Sequence, residues 1–291
     1  MILGLLCSGD LGYKTLVTLF EKREIIFVCT DKKSDTIILF CNENNIKLFI
    51  GNPRNGKASE DLKDLYIDVI ISINYLFLIE EDLIKLANIL AFNIHGSLLP
   101  KYRGRTPHVW SIINNEKTTG VTAHIIDAGC DTGSIIEQVE VPIRNNDTGA
   151  TILKKYALLY TPLIEKVLFQ IDKEVVVLKK QDESLATYFG KRTPKDGLIN
   201  WDWSKERIKN WVRAQANPYP GAFTFYNGNK IIIDEVVFSN LGFDFNISNG
   251  TILKTNPNCI IKTPNGAIEI IKTRNKLTPL EIGNRFTNEN R

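Results

Sequence analysis

Short apolar β-forming runs alternate with helical stretches through the first 100 residues, a long amphipathic segment covers 147–171, and short strands crowd the chain beyond residue 222. These three observations predict an α/β protein: a Rossmann-like parallel sheet with helices on both faces, followed by a smaller, β-rich, barrel-like domain. Taken in order, ILGLLC (2–7) and EIIFVC (24–29) each precede a stretch of helical character. DVIISI (68–73) and AFNI (91–94) repeat the β pattern, with LIEEDLIKLANI (78–89) carrying apolar residues at helical spacing between them. GVTAHIID (120–127) and SIIEQVEVPI (134–143) read as two further strands, and the helix over 147–171 opens on Asp147-Thr148, a pair suited to capping.

Residues 181–203 lack clear periodicity and read as the crossing between domains, and SKERIKNWVRAQ (204–215) is helical. After a turn at NPYPG come AFTFY (222–226), a hairpin signal at NGNK, then IIIDEVVF, GTILKT, CIIKT and GAIEIIKTR. The expected division is a first domain at 1–180, a linker with a helix at 181–215, and a β-rich domain at 216–291.

Composition narrows the function classes. With 43% hydrophobic and 24% charged residues the chain reads as an ordinary globular protein, and no apolar run approaches the roughly 20 residues of a membrane span. The N-terminus lacks a basic leader and a small-residue cleavage site, so a cytoplasmic location is expected. A net charge of +3, with 12 Lys+Arg against 8 Asp+Glu from residue 200 onward, argues against a dedicated nucleic-acid binder. Five scattered cysteines without a C-x-x-C pair suggest free, mostly buried thiols and no metal site.

The stretch FNIHGSLLPKYRGRTP (92–107) carries the chemistry. Residues i and i+2 of a strand share a face, so Asn93 and His95 lie side by side at a strand end, where open parallel sheets bind their ligands. A histidine moves protons near neutral pH, and an asparagine donates to an oxygen gaining negative charge. His95, His108 and His124 are the only histidines. An acid to orient the imidazole is available in IIDAGCDTGSI as Asp127 or Asp131, and spacing alone does not choose between them. CSGDLG offers Ser8, Gly9 and Asp10 to a phosphate, or simply ends the first strand. Arg103 and Arg105 suit an anion or a braced turn, and Tyr75 suits a ligand or the core.

FNIHGSLLPKYRGRTPHVW followed by GVTAHIIDAGCDTGSII resembles the folate-dependent formyltransferase family, and RTPKDGLINW and NPYPGAF extend the resemblance over most of the chain. The resemblance implies that Asn93, His95 and Asp131 form a catalytic triad in a formyltransferase domain. It also implies transfer of a formyl group from 10-formyltetrahydrofolate to a primary amine. The folate ring is then expected beside Phe77, Leu78 and Ile79 on one side and Ala128, Gly129 and Cys130 on the other.

Among family members differing in acceptor, the linker RTPKDGLINWDWSKERIKNWVRAQANPYPGAF is similar to that of the nucleotide-sugar N-formyltransferases. This implies a dTDP- or UDP-linked amino sugar, with dTDP-4-amino-4,6-dideoxyglucose in a surface-polysaccharide (O-antigen) pathway as the leading acceptor. Ser8, Gly9, Asp10, Tyr75, Arg103, Tyr188, Arg192, Tyr219 and Phe223 are the expected acceptor contacts, and the β-rich tail is expected to pair two subunits. Methionyl-tRNA formyltransferase is the alternative, weakened by a short and weakly basic loop after the second strand. A folate or nucleotide-sugar sensor is the second alternative, weakened because a pure binder has no need of a proton-moving His95.

Overall fold

The computed structural model describes residues 1–275 and 279–287. Its chain divides into two compact units, which do not follow the expected boundaries. The first comprises 1–107, 119–141 and 154–189; the second comprises 108–118, 142–153 and 190–291. The expected linker is therefore split, with 181–189 belonging to the first unit and the remainder to the second.

The first unit is built on β1 (Ile2–Cys7), α1 (Gly9–Phe20), β2 (Glu24–Thr30), α2 (Asp35–Glu43), β3 (Lys47–Ile50), α3 (Lys57–Leu62), β4 (Val69–Ile73), α4 (Glu81–Ile84) and β5 (Leu90–His95). The chain continues through β6 (Arg103–Gly104), α5 (Pro107–Ile113, nearly all of it in the second unit), β7 (Thr118–Ile125), β8 (Ile135–Pro142), α6 (Gly149–Asp172, its first residues in the second unit) and β9 (Tyr188–Phe189). Seven strands form one sheet in the order β3-β2-β1-β4-β5-β7-β8. The pairs from β3 to β5 are parallel, as expected, whereas β7 runs antiparallel to β5. Every residue of β4 is buried, the pattern of a strand covered on both faces.

Two local readings shift and a third holds. β3 was not read as a strand because it has only four residues, none of them fully buried, at the sheet edge. The helix expected over 78–89 contracts to α4. The chain then tightens, as Leu86 and Ala87 donate to carbonyls three residues back, and Asn88 and Ile89 are tied to the approach of β4. In α6, Tyr156, Tyr160, Leu163, Ile164, Val167, Leu168 and Ile171 form one buried stripe at helical spacing, as the sequence predicts. The Thr148 hydroxyl accepts from the Thr151 amide at its start, the cap expected from Asp147-Thr148.

The second unit carries α7 (Lys205–Ala214), β10 (Ala222–Tyr226), β11 (Asn229–Ser239), β12 (Ile252–Lys254), β13 (Cys259–Thr263) and β14 (Gly266–Thr273). The strands form an antiparallel sheet in the order β10-β11-β14-β13-β12. Asn227 and Gly228 both have positive φ, as the two-residue turn of the β10–β11 hairpin requires. Trp201 stacks on Phe286 with ring centroids 5.5 Å apart, anchoring the chain before α7 against the last described segment. Part of the domain expected at 216–291 lies outside the described residues. No helix among the described residues is long and apolar enough to cross a membrane.

Candidate active site

β5 delivers Asn93 and His95 to its carboxyl end, and the antiparallel register sets Asn93 opposite His124 of β7. The His124 Nδ1–H donates to the carbonyl of Ile125 (2.7 Å), so its Nε2 accepts from the Asn93 carboxamide at 3.1 Å. His95 is buried and donates from Nε2 to the Tyr102 carbonyl at 2.8 Å. Its Nδ1 faces Asp131 Oδ2 at 3.5 Å, while His124 Nε2 faces Oδ1 of the same carboxylate at 3.5 Å. Four polar side chains thus surround one point beyond the sheet. An imidazole that gains or loses a proton at Nδ1 does so beside an acid, and an amide donor stands on the same strand face.

Asp131 holds its place by backbone geometry. It adopts a left-handed φ of 57° in the β7–β8 loop, and Oδ2 accepts from the Gly104 amide at 2.8 Å. Gly104 has φ 95°, and a Cβ there would collide with the Phe189 carbonyl, so only glycine brings this amide to the carboxylate. Burial acts to raise the Asp131 pKa. The charge of His95, the His124 imidazole beside it and the Gly104 amide outweigh it and hold the carboxyl well below its ordinary range. Asp127, the other candidate acid, accepts from the Gly129 amide (3.1 Å) and the Thr132 hydroxyl (2.6 Å), so it shapes the loop. The structure therefore brings Asn93, His95 and Asp131 together and adds His124. The sequence contained a signal for His124, one of three histidines, but only the β5–β7 register places it against Asn93.

The expected donor-binding segments flank this point unevenly. Phe77 is half-buried, with its ring 5.5 Å from that of Tyr75, and Ile79 packs against the core, whereas Leu78 is 59% exposed. Ala128, Gly129 and Cys130 are exposed along the loop before Asp131. Arg105 Nη2 donates to the Leu76 carbonyl at 2.6 Å, tying the loop after β5 to the loop after β4. Burial pushes the Cys130 thiol up to about 11, with the Asp131 charge adding to the effect, so this exposed cysteine stays protonated at neutral pH.

Several expected acceptor contacts have internal work instead. Arg103 is fully buried: its guanidinium bonds Glu183 through both terminal nitrogens (2.7 and 2.8 Å), the Gln181 side chain and the Tyr188 hydroxyl. The Tyr188 ring lies 5.2 Å from the guanidinium. Arg103 and Tyr188 thus form a clamp rather than an anion site, because the planar fork already has its oxygen partners. Phe223 is a buried residue of β10 with the Lys230 ammonium 3.8 Å from its ring centroid.

Gly9 donates its amide to Ser34 Oγ, and exposed Asp10 pairs with Lys14. Buried Ser8 closes β1, two strands away from β5. The Tyr75 hydroxyl is buried in the protein, and burial pushes its pKa up. In the second unit, the Arg192 guanidinium lies between the indoles of Trp110 (4.8 Å) and Trp211 (4.5 Å). Tyr219 shares a 2.8 Å hydrogen bond with His108 Nε2; burial pushes the tyrosine up to about 12 and the histidine down to about 4. Among the described residues, no group of three or more His, Cys, Asp or Glu is arranged to hold a metal ion.

With this geometry in place, comparison with known proteins settles the family. Residues 23–167 match formyl transferase, and residues 191–287 match the formyl transferase C-terminal domain. The chain belongs to the formyl transferase family. It is 37% identical over 296 residues to the bifunctional polymyxin resistance protein ArnA of Wigglesworthia glossinidia brevipalpis; the match takes in 99% of this chain but spans 43% of that relative's length. A structure of WlaRD, a sugar 3N-formyl transferase in the presence of dTDP and 5-N-formyl-THF, superposes with a TM-score of 0.75 at 24% identity, over 95% of this chain and 99% of that one. An N-formyltransferase from Helicobacter canadensis, in complex with folinic acid and dTDP-3-aminofucose, superposes with a TM-score of 0.74 at 23% identity, over 93% and 99% of the two chains. Both structures share the fold of the chain over the residues they superpose.

Proposed function

We propose that this chain transfers a formyl group from 10-formyltetrahydrofolate to the primary amine of a nucleotide-linked amino sugar. The observation that carries the reading is the convergence of Asn93, His95 and Asp131 at the end of β5 in a member of this family. Attack of an amine on a formyl carbon develops a negative oxygen and leaves a proton to be moved. Asn93 Nδ2, which has a second N–H beside the one given to His124, donates to that oxygen. His95 carries the proton from the attacking nitrogen towards the departing folate nitrogen, and Asp131 steadies the imidazole while it is charged. Phe77, Leu78 and Ile79, with Ala128, Gly129 and Cys130, are assigned to the folate ring.

The acceptor class is supported by the linker sequence and by the dTDP and dTDP-3-aminofucose named for the two similar structures. Within it we assign dTDP-4-amino-4,6-dideoxyglucose as the first acceptor to test. A cytoplasmic homodimer serving surface-polysaccharide assembly completes the reading. The test is a formyl-transfer assay on dTDP- and UDP-linked 3-amino and 4-amino sugars, beside methionyl-tRNA, with light scattering for the dimer. Formylation of a nucleotide sugar is the expected result. Formylation of tRNA alone, or folate binding with no transfer to any amine, would refute it.

A further inference from the structure

Gln181 lies fifty residues beyond Asp131 in sequence yet bonds its main chain directly. It is 5% exposed. Its Nε2 donates to the main-chain carbonyls of Asp131 (2.9 Å) and Gly133 (2.7 Å), and its Oε1 accepts from Arg103 Nε (3.1 Å) and Nη2 (2.8 Å). Both donors and both lone pairs of the carboxamide are therefore used. Its orientation is also forced, because the donor end must meet the carbonyls and the acceptor end must meet the guanidinium.

We propose that Gln181 is a positioning residue for the transfer reaction: it fixes the main chain of 131–133 so that the Asp131 carboxylate stays against His95 and His124, with Arg103 fixing Gln181 in turn. The inference rests on the formyl-transfer reading above. The carboxylate has one short bond, from the Gly104 amide, and both imidazoles stand at 3.5 Å, so its aim follows the backbone that carries it. That backbone is left-handed at Asp131, a conformation that persists in a non-glycine residue only where its surroundings hold it. Gly133, the second anchor, packs so closely on the Ile125 carbonyl that a Cβ would not fit. Glu183 provides the contrast: its side chain is 62% exposed and grips Arg103 from the outer side.

The test compares Gln181→Glu with Glu183→Gln. The first keeps an acceptor for Arg103 but sets a carboxylate against two carbonyls; the second weakens the same arginine from its exposed side. We expect Gln181→Glu to lower kcat about 100-fold, the scale of a small misplacement of a reacting group, with KM for both substrates nearly unchanged. The acid limb of its kcat profile should move to higher pH, because Asp131 returns toward an ordinary carboxylate. Carbon-13 NMR titration of the Asp131 carboxyl reads the same displacement without any turnover. Glu183→Gln should keep both the kcat and the pH profile. The proposal is overturned if Gln181→Glu retains the wild-type limb and titration, or if both variants lose activity only in proportion to the fraction folded. Should Gln181→Glu lack a cooperative melt, Gln181→Asn, neutral but one methylene shorter, carries the same expectation and the same refutation. A wild-type chain that transfers no formyl group refutes the functional reading instead, and the NMR titration still decides the role of Gln181.

Discussion

Two regions of the first sheet bury thiols and a carboxyl with opposite outcomes. At the ends of β1 and β2, Cys7 and Cys29 are enclosed by apolar neighbours, and burial pushes both thiols far up, so they stay neutral and inert. At the ends of β5 and β7, Asp131 is also largely enclosed, yet donors and imidazoles keep it ionised. The difference shows that depth alone does not set charge; the number of donors aimed at the group does. At Asp131 they come from the Gly104 amide and from the histidines that β5 and β7 bring to the strand end.

The sharpest way to break this comparison is His95→Ala. It should lower kcat about 10²- to 10⁴-fold, the usual contribution of a general acid–base group, with an unchanged circular dichroism spectrum. Retention of wild-type turnover would remove the β5 end from the chemistry. Asn93→Ala should cost about 10²- to 10³-fold in kcat, the scale of one oxyanion donor.

The opposite end of the sheet should respond in stability and not in rate. Phe27 is fully buried, with its ring filling the space left by Gly4, so Phe27→Ala should cost about 3–5 kcal/mol in urea unfolding while kcat per folded molecule stays the same. A fall in kcat per folded molecule would mean that the two regions are not independent. The smallest effect separates wild type from Asp131→Asn in acid. A carboxyl held below its ordinary value stabilises the fold above that value and loses the contribution as pH falls through its native one. The melting curves should therefore differ at neutral pH and converge as the pH drops below about 4.

Much of this was legible in the chain itself. The parallel strands announce themselves as apolar runs, and Asn93 and His95 share a face by simple alternation. The family motif chose Asp131 over Asp127, and the loop geometry gives the physical reason, since Asp127 is occupied in shaping its own turn. What escaped depends on distant pairing. β3 is too short and too exposed to carry an apolar signal, and His124 acquires meaning only through register. Arg103 looks the same in sequence whether it awaits an anion or already has Glu183 and Gln181. The free, mostly buried thiols were foreseen, with Cys130 the one exposed.

The short parallel ribbon of β6 and β9 has a practical corollary for protein engineers. Residues 100–106, 127–134 and 181–189 share their hydrogen bonds, so a chimera that swaps one of these segments for a homologue's inherits donors without acceptors. Grafting a new specificity onto this scaffold means transplanting the three as a set, or leaving all three untouched and redesigning elsewhere.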